Sequence, residues 1–201
     1  LKTQIVADVS KLPTHAFGPS TTTWWGTLGF MALEGSGFML AAGAYLYLMA
    51  LAPQWPLNAP LPNVWPGTIV ALLLLASLPL NHLMRRWARA EDLRKVKWGL
   101  VGMSLLGLAP LVVRWFEFPA VNVRWDSNAY GSVVWFLLGL HTTHLITDLG
   151  DTLVLTALMF TRHGRNPRRF SDADDNAFYW DFVVLAWLPI YALVYWVPRL
   201  A

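Results

Sequence analysis

The chain has 201 residues, of which 56% are apolar and 13% charged, against about 25% charged in an ordinary soluble domain. Twelve Trp and ten Phe collect with aliphatic residues into long blocks, which excludes a single soluble domain and points to a multi-pass membrane protein. The lack of cysteine excludes a disulfide scaffold and thiolate chemistry, and a net charge of +3 calls for no nucleic-acid partner.

Five apolar blocks follow in order, over 24–52, 64–84, 96–116, 130–161 and 178–197. Each suffices for the roughly 20 helical residues that cross a hydrocarbon core. Breakers fill the links: Pro53, Pro56, Pro60 and Pro62 after the first block, Pro119 after the third and Pro167 after the fourth. The expected fold is all-α, an integral membrane bundle of five transmembrane helices. The first twenty residues lack the apolar stretch of a secretory signal. Residues 1–23 are therefore expected as a surface tail and 24–201 as one transmembrane domain. No internal repeat of the kind found in inverted-repeat transporters is visible.

Basic residues set the orientation, because cytoplasmic loops are enriched in them. Lys2 and Lys11, the link from Arg85 to Lys97, and the link from Arg162 to Arg169 alternate onto one side and hold twelve basic residues. Only Arg114, Arg124 and Arg199 fall on the other. That split places the N-terminus in the cytoplasm and the C-terminus outside. Trp24, Trp25, Trp65, Trp98, Trp115 and Trp196 lie near span ends and mark the interfaces.

Ionisable residues within spans carry most of the functional information, since each costs about 2.5–3.5 kcal/mol near a helix centre. Glu34 lies in the first helix. His141, His144, Asp148 and Asp151 lie in the fourth, on a stripe about 80° wide at 100° per residue. Such a stripe suits a metal site or proton relay, or a buried network fastening the fourth helix to the first through Glu34. The network is preferred because helices in lipid associate through polar contacts. Glycines 26, 29, 35, 37 and 43 are expected to let the first helix approach a neighbour closely. Glu117 is expected to form an ion pair with Arg114 at the outer end of the third helix. Asp172, Asp174 and Asp175 read as a solvated acidic cap before the last helix, and His82 as an interfacial residue. Only the fourth helix offers histidines at depth, so the chain alone is not expected to hold haem.

Tyr130-Gly131-Ser132 followed by Gly139-Leu140-His141-Thr142-Thr143-His144 resembles the YGS…GxHxxH segment of subunit III of haem–copper cytochrome c oxidases. Leu33-Glu34 with Phe38 and Gly43 resembles the family's helix with a carbodiimide-reactive carboxylate. Arg94-Lys95, then Glu117-Phe118 with Ala120, and Phe178-Tyr179-Trp180-Asp181-Phe182-Val183 with Tyr195-Trp196, resemble further family stretches in the same order. The resemblance spans about residues 24–198 and matches the short, five-helix bacterial form.

The resemblance implies a non-catalytic subunit of the bacterial inner membrane without haem, copper or other metal. It would pack against oxidase subunit I, with subunit II nearby, hold phospholipid in a cleft, and support oxygen access and proton uptake. Glu34, His141, His144, Asp148, Asp151 and Asp181 would form buried polar contacts, and Arg85, Arg86 and Arg162 would meet lipid head groups. Asp181 and Val184 replace the family's His and Asp, and Asp148 and Asp151 stand where the family is usually apolar. Relatives also accompany quinol oxidases and nitric oxide reductases, which stay open as alternatives. A membrane metalloenzyme using the fourth-helix stripe is a further alternative.

Overall fold

A computed structural model describes residues 15–200, so Lys2, Lys11 and most of the expected tail lie outside the described residues. The described chain is helical, with no strand. The five long helices are α1 (Thr22–Leu51), α2 (Val64–Arg89), α3 (Leu93–Ala120), α4 (Ala129–Phe160) and α5 (Arg168–Tyr191), and a final turn, α6 (Val197–Leu200), closes the fold.

Side chains just ahead of the first four helices explain where they begin. Thr21, Asn63, Asp92 and Asn128 each accept a first-turn backbone N–H, from Trp24, Trp65, Lys95 and Gly131, satisfying donors that a helix start leaves open. The Lys95 side chain and backbone N–H hold the Asp92 carboxyl below the usual carboxylate range, so this cap stays charged wherever an ordinary aspartate would. Past Pro189 the last helix widens into one π turn over Ala192–Trp196, a local irregularity that leaves the span continuous.

Among the described residues, three helices are long and apolar enough to cross a membrane by themselves: α2, α3 and the run Arg168–Leu200. Helices α1 and α4, at 30 and 32 residues, are no shorter. Their middle turns carry Glu34 and four ionisable groups respectively, which lowers their apolarity and requires neighbours that cover those groups.

The last helix starts at Arg168 rather than at 178. The acidic run is therefore its first turns and not a solvated cap. Asp174 is buried because Arg85 and Arg89 on α2 reach it, and that neutralisation lets the helix continue through the run.

Helix α2 packs on α3 and α5, α4 lies against α3 and α5, and α1 rests outside against α4 and α5. Trp55 in the link after α1 returns to the core. Its indole N–H donates to the Tyr45 hydroxyl at 2.8 Å, and its ring meets Tyr45 and Tyr130 edge-on at 5.1 and 4.9 Å. The glycine face of α1 does not behave as expected. Among the described residues, a Cβ at Gly26, Gly29, Gly37 or Gly43 would meet nothing within 4 Å, and one at Gly35 would make only an ordinary contact with Phe182 of α5 at 3.7 Å.

Close approach occurs instead at Gly67 of α2, where a Cβ would overlap the buried ring of Tyr195. That ring is pinned by its hydroxyl to Glu117 and has no room to yield. Gly67→Leu is expected to cost about 1–3 kcal/mol by overpacking, whereas Gly37→Ala, with open space around the new Cβ, is expected to leave stability equal or raise it by up to about 1 kcal/mol. Thermal unfolding in detergent, followed by tryptophan fluorescence, measures both.

Candidate functional site

Three polar groups lie between the helices, each joining a different set, two of them largely buried and the third reaching the surface at Arg89 and His82. The deepest joins α3, α4 and α5. Arg114 is 1% exposed and Glu117 0%, and Arg114 Nη1 donates to Glu117 Oε2 at 2.7 Å. The Tyr195 hydroxyl donates to the other carboxylate oxygen. Arg114 Nη2 lies 3.0 Å from His141 Nδ1. A guanidinium has no acceptor, so Nδ1 accepts, and Nε2–H donates to the Val183 carbonyl at 3.0 Å. His141 is thus held as a neutral imidazole. The guanidinium carbon lies 4.2 Å over the Trp187 ring, a cation–π contact out of water.

A second group links α1 to α4 and α5. The Tyr179 hydroxyl donates to Glu34 Oε2 at 2.7 Å, and His144 Nε2 lies 3.3 Å from Glu34 Oε1. His144 Nδ1 is 2.6 Å from the Leu140 carbonyl and must donate there, so attraction across the Nε2 contact requires a proton between imidazole and carboxylate. The Phe38 ring covers His144 at 4.7 Å. One turn on, Asp148 is 1% exposed and neither carboxylate oxygen has a partner. Asp151, a further turn along, is exposed.

The third group clamps α2 to α5. Arg89 Nε and Nη2 donate to Asp174 Oδ1 and Oδ2 at 3.0 and 3.2 Å, and Arg85 spans Asp174 at 3.4 Å and Asp181 at 3.2 Å. Asn81 donates to Asp181 at 2.8 Å, and His82 lies 3.5 Å from it. Arginines four apart on one helix thus meet aspartates seven apart on the other, which keeps both pairs on facing stripes.

The six residues expected as one buried network are therefore divided. His141 belongs with Arg114 and Glu117, His144 with Glu34, and Asp181 with Arg85, while Asp148 is unpartnered and Asp151 open. Of the residues expected at lipid head groups, Arg85 is engaged inside the third group, and Arg162 is exposed. The roles of Tyr179, Tyr195, Asn81 and Arg89 went unread in the sequence. The seven-residue spacing of Asp174 and Asp181 opposite Arg85 and Arg89 was the available signal.

Between α1, α4 and α5 lies a cavity of about 620 Å3, whose walls include Glu34, His144, Asp148, Asp151, Phe30 and Tyr179. Among the described residues, no group of three His, Cys, Asp or Glu side chains converges to hold a metal ion.

Residues 39–198 match the family model for cytochrome c oxidase subunit III. Cytochrome c oxidase subunit 3 of Thermostichus vulcanus is 24% identical over 177 residues, covering 87% of each chain. That of Drosophila yakuba is 25% identical over 205 residues, 94% of this chain and 76% of the relative. The probable cytochrome c oxidase subunit 3 of Mycobacterium leprae is 25% identical over 183 residues, 85% of this chain and 87% of the relative.

The Arg114–Glu117 pair gives a direct test of its physics. Removing one member strands the other charge in the core at a cost of about 3–5 kcal/mol, whereas replacing both with apolar groups of similar size is close to neutral. Arg114→Met is expected to lower thermal stability sharply, and Arg114→Met with Glu117→Met to recover most of the loss. Additive destabilisation in the double variant would contradict the pairing.

Proposed function

Because the chain belongs to the cytochrome c oxidase subunit III family, we propose that it is the non-catalytic subunit III of a respiratory haem–copper terminal oxidase in a bacterial inner membrane. The observation that carries this reading is the family match across residues 39–198, which takes in four of the five long helices whole and part of α1. In this role the chain packs against the catalytic subunit I, with subunit II in the same complex, and those partners hold the haem and copper. Its own contribution is to brace subunit I, to hold phospholipid in the cleft between α1, α4 and α5, and to support oxygen access and proton uptake.

Several observations support the finer points. The cavity between α1, α4 and α5 combines apolar and carboxylate walls, which suits an amphiphile. The exposed apolar face of α1, with Leu33, Met39, Leu40 and Tyr47, and its open glycines offer a surface for another subunit or for lipid. Twelve basic residues against three favour a cytoplasmic N-terminus. The relatives named as cytochrome c oxidases favour that class over a quinol oxidase or nitric oxide reductase.

Purifying the tagged chain in mild detergent and recording a reduced-minus-oxidised spectrum tests the reading. Haem absorbance that accompanies a larger co-purifying subunit and disappears with it is the expected result. A chain that purifies alone, or that retains its own iron, overturns it. Glu34→Ala removes the carboxylate that joins α1 to His144 and Tyr179. It is expected to weaken subunit association or sustained turnover while the initial rate of oxygen reduction is kept. Immediate loss of all oxygen reduction contradicts this assignment.

A further inference from the structure

Among the described residues, nothing neutralises Asp148. The residue is 1% exposed, and neither of its carboxylate oxygens has a partner. Its electrostatic neighbours, Asp151 and Glu34, are both acids, and Asp172 and Asp175 line the same cavity. Arg169, also on the cavity wall, is ion-paired to Asp172 at 2.7 Å. Hydroxyls on the walls are committed elsewhere: those of Thr143 and Thr147 donate to backbone carbonyls of α4, and that of Tyr179 donates to Glu34. No group of three His, Cys, Asp or Glu side chains among the described residues converges to hold a metal ion as counter-charge. An ionised carboxylate here would be an unpaired charge out of water, which costs far more than the neutral acid. Asp148 is therefore held with a proton.

That proton has a way in and a way on. Asp151, three residues along the same face of α4, is exposed. His144, four residues back, places Nε2 at 3.3 Å from Glu34 Oε1. Side chains three or four apart on a helix are neighbours, with Cβ atoms about 5–6 Å apart, a gap that one water bridges. The cavity of about 620 Å3 touches Asp151, Asp148, His144 and Glu34 alike, and a water molecule takes up only about 30 Å3. The contact between His144 and Glu34 itself needs a proton, because His144 Nδ1 already donates to the Leu140 carbonyl. Asp148 thus stands between a solvent-facing carboxylate and a buried contact that is attractive only when protonated. Both aspartates stand where the family is usually apolar, so family membership alone does not account for them.

We propose that Asp148 is a proton store, loaded through Asp151 and discharged into the contact between Glu34 and His144. When that contact gives up its proton to a basic group of the catalytic subunit, the Asp148 O–H bond breaks and its proton restores the contact. A proton taken from water by Asp151 then re-forms the O–H bond of Asp148. One proton moves at each step and no electron is transferred. The proposal rests on the reading that the chain supports proton uptake, and it names the residues through which this chain does so.

The test uses the full chain, purified with the subunits that accompany it. Infrared difference spectra recorded on transfer from H2O to D2O report neutral carboxyl groups through a deuterium-sensitive C=O band. Such a band is expected in the wild type, retained in Glu34→Gln and absent in Asp148→Asn. Asp151→Asn is expected to keep the band and to slow its exchange by about tenfold or more, as removal of a positioned proton-transfer group does. Because Asp151 is exposed, that variant supplies a readout even if Asp148→Asn does not fold. An unchanged band in folded Asp148→Asn, or exchange at the wild-type rate in Asp151→Asn, overturns the proposal and leaves the uptake reading standing. Oxygen reduction is followed on the same samples, and Asp148→Asn is expected to lose activity over successive turnovers faster than the wild type. Undiminished turnover alongside the expected infrared changes overturns the uptake reading and leaves Asp148 as a proton-exchanging site.

Discussion

A guanidinium and a carboxylate with essentially no exposure, inside helices bordered by hydrocarbon, must be satisfied by the protein itself. Arg114 and Glu117 meet that constraint only together, with His141 taking one guanidinium N–H, Tyr195 donating to the second carboxylate oxygen and Trp187 covering the cation. These partners come from α4 and from the last helix, so the arrangement of three helices follows from neutralising one pair. The absence of a side chain at Gly67 belongs to the same arrangement, because it leaves the space in which the Tyr195 ring stands.

The other two polar groups differ in how completely they are closed. Between α2 and α5, two arginines and two aspartates neutralise each other with Asn81 completing the set, and that contact is a tight, matched interface. Trp180 adds to it by donating to the Ser77 hydroxyl at 2.7 Å. Helix α1 is held more lightly, through Glu34 to His144 and Tyr179 and through Phe38, while most of its large apolar side chains face outward. A helix fastened along one polar seam leaves room beside that seam, and the cavity with its unsatisfied aspartates occupies that room. The closed part of the bundle and the part that keeps a cavity are thus set by where the charges are balanced.

The sequence carried the helices and their starts to within a few residues for four of the five, because apolar block length and Thr, Asn or Asp caps are local signals. It carried the polar stripe of α4 and the family resemblance as well, since helical periodicity places those residues on one face without knowledge of any neighbour. It failed at Arg168, where the last helix begins. Asp172, Asp174 and Asp175 look like a solvated run until Arg85 and Arg89, more than eighty residues away in sequence, are seen to neutralise Asp174.

Partner choice was decided only in three dimensions. Periodicity puts His141 and His144 on the same face, but the crossing of α3 behind α4 gives Arg114 to the first, and the placement of α1 gives Glu34 to the second. The glycines of α1 read as a packing face by composition, yet packing depends on which helix comes near: Gly35 alone meets another helix, at Phe182 of α5, and among the described residues nothing comes within 4 Å of a Cβ at the other four. Composition and period fix what a helix needs to bury. Only the tertiary arrangement assigns the group that satisfies each need, because charge pairing acts through space between residues that no local pattern connects.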